Sequence, residues 1–322
     1  MKKTLMTLCA AVVVLLPSSC SKTIETPQPK KIDITLMASI GNSGTKTEYT
    51  DPADGSLSVT WSAEDEMSLL VINGDGEIVS NTVLVNQSGA VKNADFTGTI
   101  PLLAAGQKYL CVYPALKGEL TDLESDEGWL KYDATKTKLV YNPYNEDYQF
   151  YVRERHGTWQ KAFKGADLMI GVPEIIDAST ADVVLERQIG VLKLVVTVPA
   201  LFTEVAPDFL GLQKMTKKDF TISLNADLST DAVSFVAGDT FQGISAFFDS
   251  AQDVSSGKMV VYLPLPSCTL TKGTVYLSMA SFEHDLFRVA EINSTVDVEI
   301  QAGKMTSLTV SSVTDWVDPT AD

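Results

Sequence analysis

Two histidines, His156 and His284, are the only imidazoles in the 322 residues, and neither belongs to a pair at helical or zinc-finger spacing. His156 lies in Arg153-Glu154-Arg155-His156-Gly157 and His284 in Glu283-His284-Asp285. Both are settings of solvated loop or strand-end residues rather than of a general base. No Gly-x-Ser-x-Gly elbow and no phosphate-cradling glycine loop occurs. The acids Asp122, Glu124 and Asp126 alternate as in a calcium loop, with Asp133 at the twelfth position. The sixth position, however, is Glu127, and Gly128 comes one residue late, so a solvated acidic loop is expected there. With no acid/base pair standing out, the chain is expected to have no catalytic residue, no resident metal and no cofactor.

Binding chemistry is better represented than reactive chemistry. Trp129, Tyr132, Tyr141, Tyr144, Tyr148, Tyr151 and Trp159 crowd one stretch together with Asn142, Asn145 and Asp147. Flat aromatic faces beside amides and acids suit a sugar- or protein-binding surface, with Trp129, Tyr144 and Trp159 as its candidate residues. The competing reading, which the composition favours, is that these rings pack a loop onto the end of a sheet. Of the four cysteines, Cys9 and Cys20 sit at the amino terminus, while Cys111 and Cys268 lie in apolar stretches far apart in the chain. Two separate, mostly buried thiols are expected, although an oxidising compartment permits a bridge.

The amino terminus fixes the compartment. Lys2 and Lys3 precede the apolar run Leu5 to Leu16, the layout of a secretory signal and too short a run to span a bilayer. It ends in Leu16-Pro17-Ser18-Ser19-Cys20, where small residues precede a cysteine, so residues 1–19 read as a lipoprotein signal peptide with Cys20 as the lipid attachment site. Pro27 and Pro29 stiffen a polar tether over 20–31. Losing Lys2 and Lys3 moves the formal charge from −16 to −18. A chain this acidic repels phosphate backbones, which excludes nucleic acid as a partner.

The elements that must carry these residues alternate with period two. Leu57, Val59 and Trp61 share one side of a strand, as do Leu192, Leu194, Val196 and Val198, and Phe220, Ile222 and Leu224. Val275-Leu277-Met279 and Val296-Val298-Ile300 repeat the pattern. Turns are expected at 51–55, 73–76, 87–89 and 302–304, where Gly, Asn, Asp and Pro cluster. Helix is confined to a turn or two within 199–211 and 212–218, and 117–164 reads as long loops and irregular hairpins. Short alternating strands with frequent turns predict an all-β protein of sandwich type. A polar break at Asp177-Ala178-Ser179-Thr180 divides it into domains at 32–180 and 181–322.

Several motifs, taken in order, resemble the fimbrillin family. Lys46-Thr47-Glu48-Tyr49 and Val59-Thr60-Trp61-Ser62-Ala63-Glu64-Asp65-Glu66-Met67 are similar to that family's opening. Asp95-Phe96-Thr97-Gly98-Thr99-Ile100 and Tyr109-Leu110-Cys111-Val112-Tyr113-Pro114 are similar to its next landmarks. Asp167-Leu168-Met169-Ile170-Gly171 resembles the close of its first domain, and Gly303-Lys304-Met305-Thr306-Ser307-Leu308 its final strand. The resemblance implies two tandem transthyretin-like β-sandwich domains on an outer-membrane lipoprotein that enters surface fimbriae. It implies, too, removal of a leading segment after a basic residue, typically Arg; here every arginine lies at 153 or later and Lys46 occupies the corresponding place, which leaves cleavage after lysine, another protease, or a subunit that is never cut and acts as an anchor, a cap or a free-standing adhesin. A neighbouring subunit's strand then fills the vacated place. The leading strand would carry Ile32, Ile34 and Leu36, and the carboxy-terminal run with Leu308, Val310 and Val313 would donate or close its own domain.

The expected function is that of a structural or adhesive subunit of fimbriae. Its partners are other fimbrial subunits through strand addition, a host protein or glycan, and the outer membrane through the lipid at Cys20. The alternative is a surface glycan-binding lipoprotein that does not polymerise. A hydrolase accessory module is a third, weaker reading.

Overall fold

The computed structural model describes residues 30–41, 60–116 except 64, 90 and 92, 130–132, 136–141, and 167–197 except 176–178. It further describes strand segments between 204 and 253, and 257–310 apart from 273–275, 284–285 and 294. For 130–132, 138, 140–141, 276–293, 310 and the strand segments between 204 and 253 the backbone alone is described. Among the described residues the regular elements are all strands. In the first half these are β1 (Lys31–Ile40), β2 (Glu66–Ile72), β3 (Ile78–Asn86), β4 (Ala94–Pro101) and β5 (Lys108–Tyr113). There follow β6 (Leu130–Tyr132), β7 (Lys138–Tyr141), β8 (Met169–Gly171), β9 (Glu174–Ile175) and β10 (Thr180–Arg187).

The first sheet runs β1-β4-β3-β2-β5-β8-β10, with β9 beside β10, and a further pairing of β10 with β1 closes it on itself. Alternation explains why these segments take the extended form: β10 buries Ala181, Val183, Leu185 and Arg187 and turns the residues between them outward. The inward residues of β1, β2, β3, β4, β5, β8 and β10 meet in one core around Trp61, Leu36, Met67, Leu84, Phe96 and Cys111. Turn chemistry behaves as expected at 73–76, where Asn73 Oδ1 accepts from the backbone N–H groups of Asp75 at 3.0 Å and Glu77 at 2.9 Å, with Gly76 at φ 81°. Gly89 and Gly303 likewise hold positive φ in their turns, at 76° and 69°.

Thr180, where the sequence reading sets its boundary, opens β10, which pairs within the first sheet. The sheet changes one strand later, across Gln188. The second half comprises β11 (Ile189–Thr197), β12 (Glu204–Val205), β13 (Pro207–Met215), β14 (Phe220–Ser223), β15 (Asp231–Ala232) and β16 (Gln242–Ala246). It continues through β17 (Gln252–Asp253), β18 (Lys258–Pro266), β19 (Cys268–Leu270), β20 (Tyr276–Glu283), β21 (Leu286–Asn293), β22 (Val298–Ile300) and β23 (Met305–Val310). β11 lies between β18 and β23, burying Leu192, Leu194 and Val196 as alternation predicts. Where the sequence leads one to expect a helical turn or two within 199–218, the described residues 204–205 and 207–215 are strand. Residues 207–215 are a strand held on both edges by β16 and β20, so cross-strand pairing overrides a weak local preference. Val298 and Ile300 are buried as expected, but Val296 precedes the strand and is exposed. Within the stretch expected to hold long loops and irregular hairpins, β6 and β7 pair antiparallel, and β7 pairs with β14 as well.

One buried ion pair ties the end of the first sheet. Asp167, just before β8, and Arg187, at the end of β10, are both buried, and Arg187 Nε donates to both carboxylate oxygens of Asp167 at 3.0 Å. Burial pushes the Asp167 carboxyl up, with the Arg187 charge and hydrogen bonds opposing that rise. Removing one member of such a pair leaves the other's charge poorly compensated in a dry site. Asp167→Ala is therefore expected to cost about 3–5 kcal/mol in urea unfolding, and replacing both residues with apolar side chains much less.

Candidate functional site

The residues singled out by the leading-strand expectation converge on β1. It is antiparallel to β4 over Lys31–Ala38 and parallel to β10 over Thr35–Ile40, so it fills a slot between two strands distant in sequence. Hydrogen bonds beyond the ladders fasten its ends: Thr35 N–H to the Ser179 carbonyl, Gly41 N–H to the Leu185 carbonyl and Leu102 N–H to the Lys30 carbonyl, each at 2.8 Å. Ile34, Leu36, Ala38 and Ile40 point into the core, and Ile32 is half-buried at its rim.

The walls of the slot fit these side chains by size. Ile34 stands opposite Gly98, where the missing side chain leaves room for Leu84; a Cβ added to Gly98 would meet Leu84 Cδ2 at 2.5 Å. Leu36 lies between Phe96 and Ala181, Ala38 between Ala94 and Val183, and Ile40 beside Leu185. The outward face is polar. Thr97, Thr35 and Thr180 stand in one row across three strands, and Thr99 Oγ1 donates to Asp33 Oδ1 at 2.6 Å. A cleft of ≈ 510 Å³ opens over this face, lined by Asp33, Thr35, Thr97, Thr99 and Thr180 among others. Hydroxyls outside and apolar groups inside fix which face of β1 is turned to the core.

Trp61 closes the slot from within. Its indole Nε1–H donates to the Ala38 carbonyl at 3.2 Å, and the ring, 2 % exposed, meets Phe96 and Tyr113 edge to face at centroid distances of 5.0 and 5.2 Å. Ala38 is the last residue of β1 to face β4, so the indole supplies a donor where that neighbour ends. Trp61 is itself held by a polar frame. Its N–H donates to the Val91 carbonyl at 2.9 Å, and the Asp65 carboxylate receives the Ser62 N–H at 2.6 Å and the Tyr113 hydroxyl at 3.4 Å. Asn86, buried, donates to the carbonyls of Ser62 at 2.6 Å and Gly89 at 2.9 Å. The spacing Trp61-Ser62-x-x-Asp65 carries the signal for this frame; Asn86 is not announced by any local pattern.

The other candidate residues fall elsewhere. Leu308 is half-buried in β23, and the backbone of Val310 pairs with Val196 of β11, so this run lies in the sheet β18-β11-β23. Val313, Lys46, Cys20, Trp129, Tyr144, Trp159, both histidines and the acids at 122–133 lie outside the described residues. Among the described residues no group of three or more His, Cys, Asp or Glu side chains is placed to hold a metal. Cys111 and Cys268 are both free thiols, the first buried and the second half-exposed. Burial pushes the Cys111 thiol far up and that of Cys268 up to about 12.

No family model and no curated protein matches the sequence. Among solved structures, the chain is similar to a candidate cell adhesion protein from Bacteroides uniformis, with 15% identity and a TM-score of 0.46, covering 89% of this chain and 97% of that one. A candidate cell adhesion protein from Bacteroides ovatus gives 12% identity and a TM-score of 0.49, over 87% and 92% of the two chains. A fimbrial protein from Bacteroides ovatus gives 14% identity and a TM-score of 0.33, over 86% of this chain and 48% of the other.

Two outcomes follow from the geometry of the slot. Leu36→Ala is expected to cost about 2–5 kcal/mol in denaturant unfolding, whereas Met37→Ala, on the exposed face of the same strand, changes stability by less than about 0.5 kcal/mol. Because the thiolate is the reactive form, Cys111 is expected to resist iodoacetamide at pH 8 in the folded protein and to react once urea is added, as followed by mass spectrometry.

Proposed function

We propose that this chain is a fimbrillin-like surface lipoprotein, a structural or adhesive subunit that joins its neighbours by strand addition. In this reading it has two transthyretin-like β-sandwich domains behind a tether lipidated at Cys20. The observation that supports the reading is the seat of β1. A segment contributing only alternating side chains and two backbone edges can be replaced by any strand that offers the same, because its backbone hydrogen bonds are indifferent to sequence. Cleavage after Lys46 would separate β1 from the rest of the domain while leaving it in place.

Cleavage alone would not empty the seat. Each large apolar side chain of β1 contributes roughly 1.5–3 kcal/mol by burial, and losing the strand would expose two sheet edges as well. Release is favourable only when a second strand enters as the first leaves, which makes assembly depend on a neighbour rather than on the protease. The carboxy-terminal run containing Leu308 and Val310 is the proposed donor, freed from β11 in the subunit that gives it.

The test is a full-length chain in which residues 44–49 are replaced by the recognition sequence of a site-specific protease. Size-exclusion chromatography is expected to give a monomer before the cut and a ladder of oligomers afterwards, with material lacking residues 30–46 in the oligomers. A cut protein that stays monomeric at all concentrations and binds oligosaccharide would instead favour the glycan-binding lipoprotein. For the anchor, labelled palmitate is expected to enter the protein in growing bacterial cells and to be absent from Cys20→Ser; equal labelling of the two would reject lipidation at Cys20.

A further inference from the structure

We infer that the seat of β1 accepts an incoming strand in a single register, set by one small slot at Ala38 beneath Trp61. This rests on the strand-addition reading above and adds to it the side-chain pattern that the partner must present.

The slots along β1 are unequal. Those of Ile34, Leu36 and Ile40 take branched side chains: Leu36 has the small Ala181 facing Phe96 across the strand, and Ile34 stands opposite Gly98, whose missing side chain makes room for Leu84. At Ala38 the cross-strand partner on β4 is another alanine, Ala94, and both are buried to 1 % exposure or less. The indole is packed at this point of the strand: its Nε1 reaches the Ala38 carbonyl at 3.2 Å, and Ala38, Ala94 and Trp61 belong to one buried core cluster. Phe96 and Tyr113 each meet the ring edge to face, so it cannot swing away without disturbing both. A branched side chain at this position would therefore have to displace the largest side chain in a close-packed core.

The pattern required of a partner is large, large, small, large at alternate positions. A slip by two residues brings a large side chain onto Trp61, and a slip by one turns the polar face inward. The chain's carboxy-terminal run comes nearest to this rule on one lane, which meets it at the first three positions and puts a threonine at the fourth, the slot of Ile40, the most exposed of the four. Leu308, Val310, Ser312 and Thr314 would replace Ile34, Leu36, Ala38 and Ile40, with Ser312 in the small slot. The lane through Val313 brings Asp315 into the slot of Ile40, Ala38 or Leu36, or else fills the slots of Ile34 and Leu36 with Ser307 and Thr309. Burying an unpaired carboxylate there is prohibitive, so Val313 faces outward in the assembled strand.

The experiment uses the full chain carrying the engineered cut at 44–49. After cleavage it is challenged with synthetic peptides, and the peptide concentration displacing half of the 30–46 segment is read by mass spectrometry. A peptide of sequence 31–40 and one of sequence 304–314 are expected to displace it. Ala38→Ser in the first peptide is expected to stay within about threefold, whereas Ala38→Leu, or Ser312→Leu in the second, weakens displacement roughly ten- to hundredfold. Val313→Leu is expected to change nothing. Equal displacement by the Ala38→Leu and parent peptides would overturn the small slot while leaving strand addition intact; failure of the 304–314 peptide alone would overturn the register assigned to that run.

Should no peptide displace the segment, strand addition fails and the slot is judged on the uncut chain. There Ala38→Leu, or Ala38→Val if the leucine variant does not accumulate, is expected to lower the melting temperature, and Met37→Leu is not. The drop is expected to shrink in a Trp61→Phe background. An unchanged melting temperature, or a drop of the same size in that background, would overturn the inference.

Discussion

The whole first sheet depends on one long-range pairing, the parallel contact of β1 with β10. Without it the sheet has two free edges, β1 on one side and β10 on the other; with it the ring of strands is closed and neither edge is open along that contact. The residues joined lie far apart in sequence, Thr35 beside Thr180 and Ile40 beside Leu185. Closing so large a loop is entropically costly, and the contact forms because it completes a core as well as a ladder. Ile34, Leu36, Ala38 and Ile40 meet Phe96, Val183, Leu185 and Trp61 there.

This arrangement separates what holds β1 from what joins it to the chain. It is held by two ladders, by size-matched side chains and by the Trp61 indole. It is joined on its carboxy-terminal side only through the backbone beyond Gly41. A helix packed by one face could not be replaced in the same manner, because its partner would have to reproduce a stripe of side chains without help from the backbone. A strand offers its neighbours a generic edge, and specificity is left to the slots. The buried pair Asp167–Arg187 lies at the far side of β10, between its end and β8, and keeps the second wall of the slot anchored independently of β1.

Much of this is legible in the residues. Alternation in Ile32-Asp33-Ile34-Thr35-Leu36 identifies both the strand and its inward face, and the structure extends that face to Ala38 and Ile40. Within Asp95-Phe96-Thr97-Gly98-Thr99-Ile100, Phe96 and Ile100 are core residues and Gly98 makes room for Leu84. What the sequence conceals is non-local. No spacing tells that β1 lies parallel to a strand beginning at Thr180, that Asp167 and Arg187 meet, or that Trp61 donates to Ala38. The strand at 207–215 is hidden for a related reason: its local pattern is ambiguous, and β16 and β20 decide it by pairing. The thiols Cys111 and Cys268 are an intermediate case, since their apolar surroundings predict burial and only the fold settles that they remain apart.

The account turns on whether β1 leaves its seat when subunits join. Hydrogen–deuterium exchange on the cut protein, before and after assembly, reports this directly. The amides of β4 and β10 that face the slot should be protected in both states, because one strand replaces another, while those of residues 31–40 lose protection on assembly. Oligomers in which residues 31–40 remain as protected as in the monomer would contradict the account.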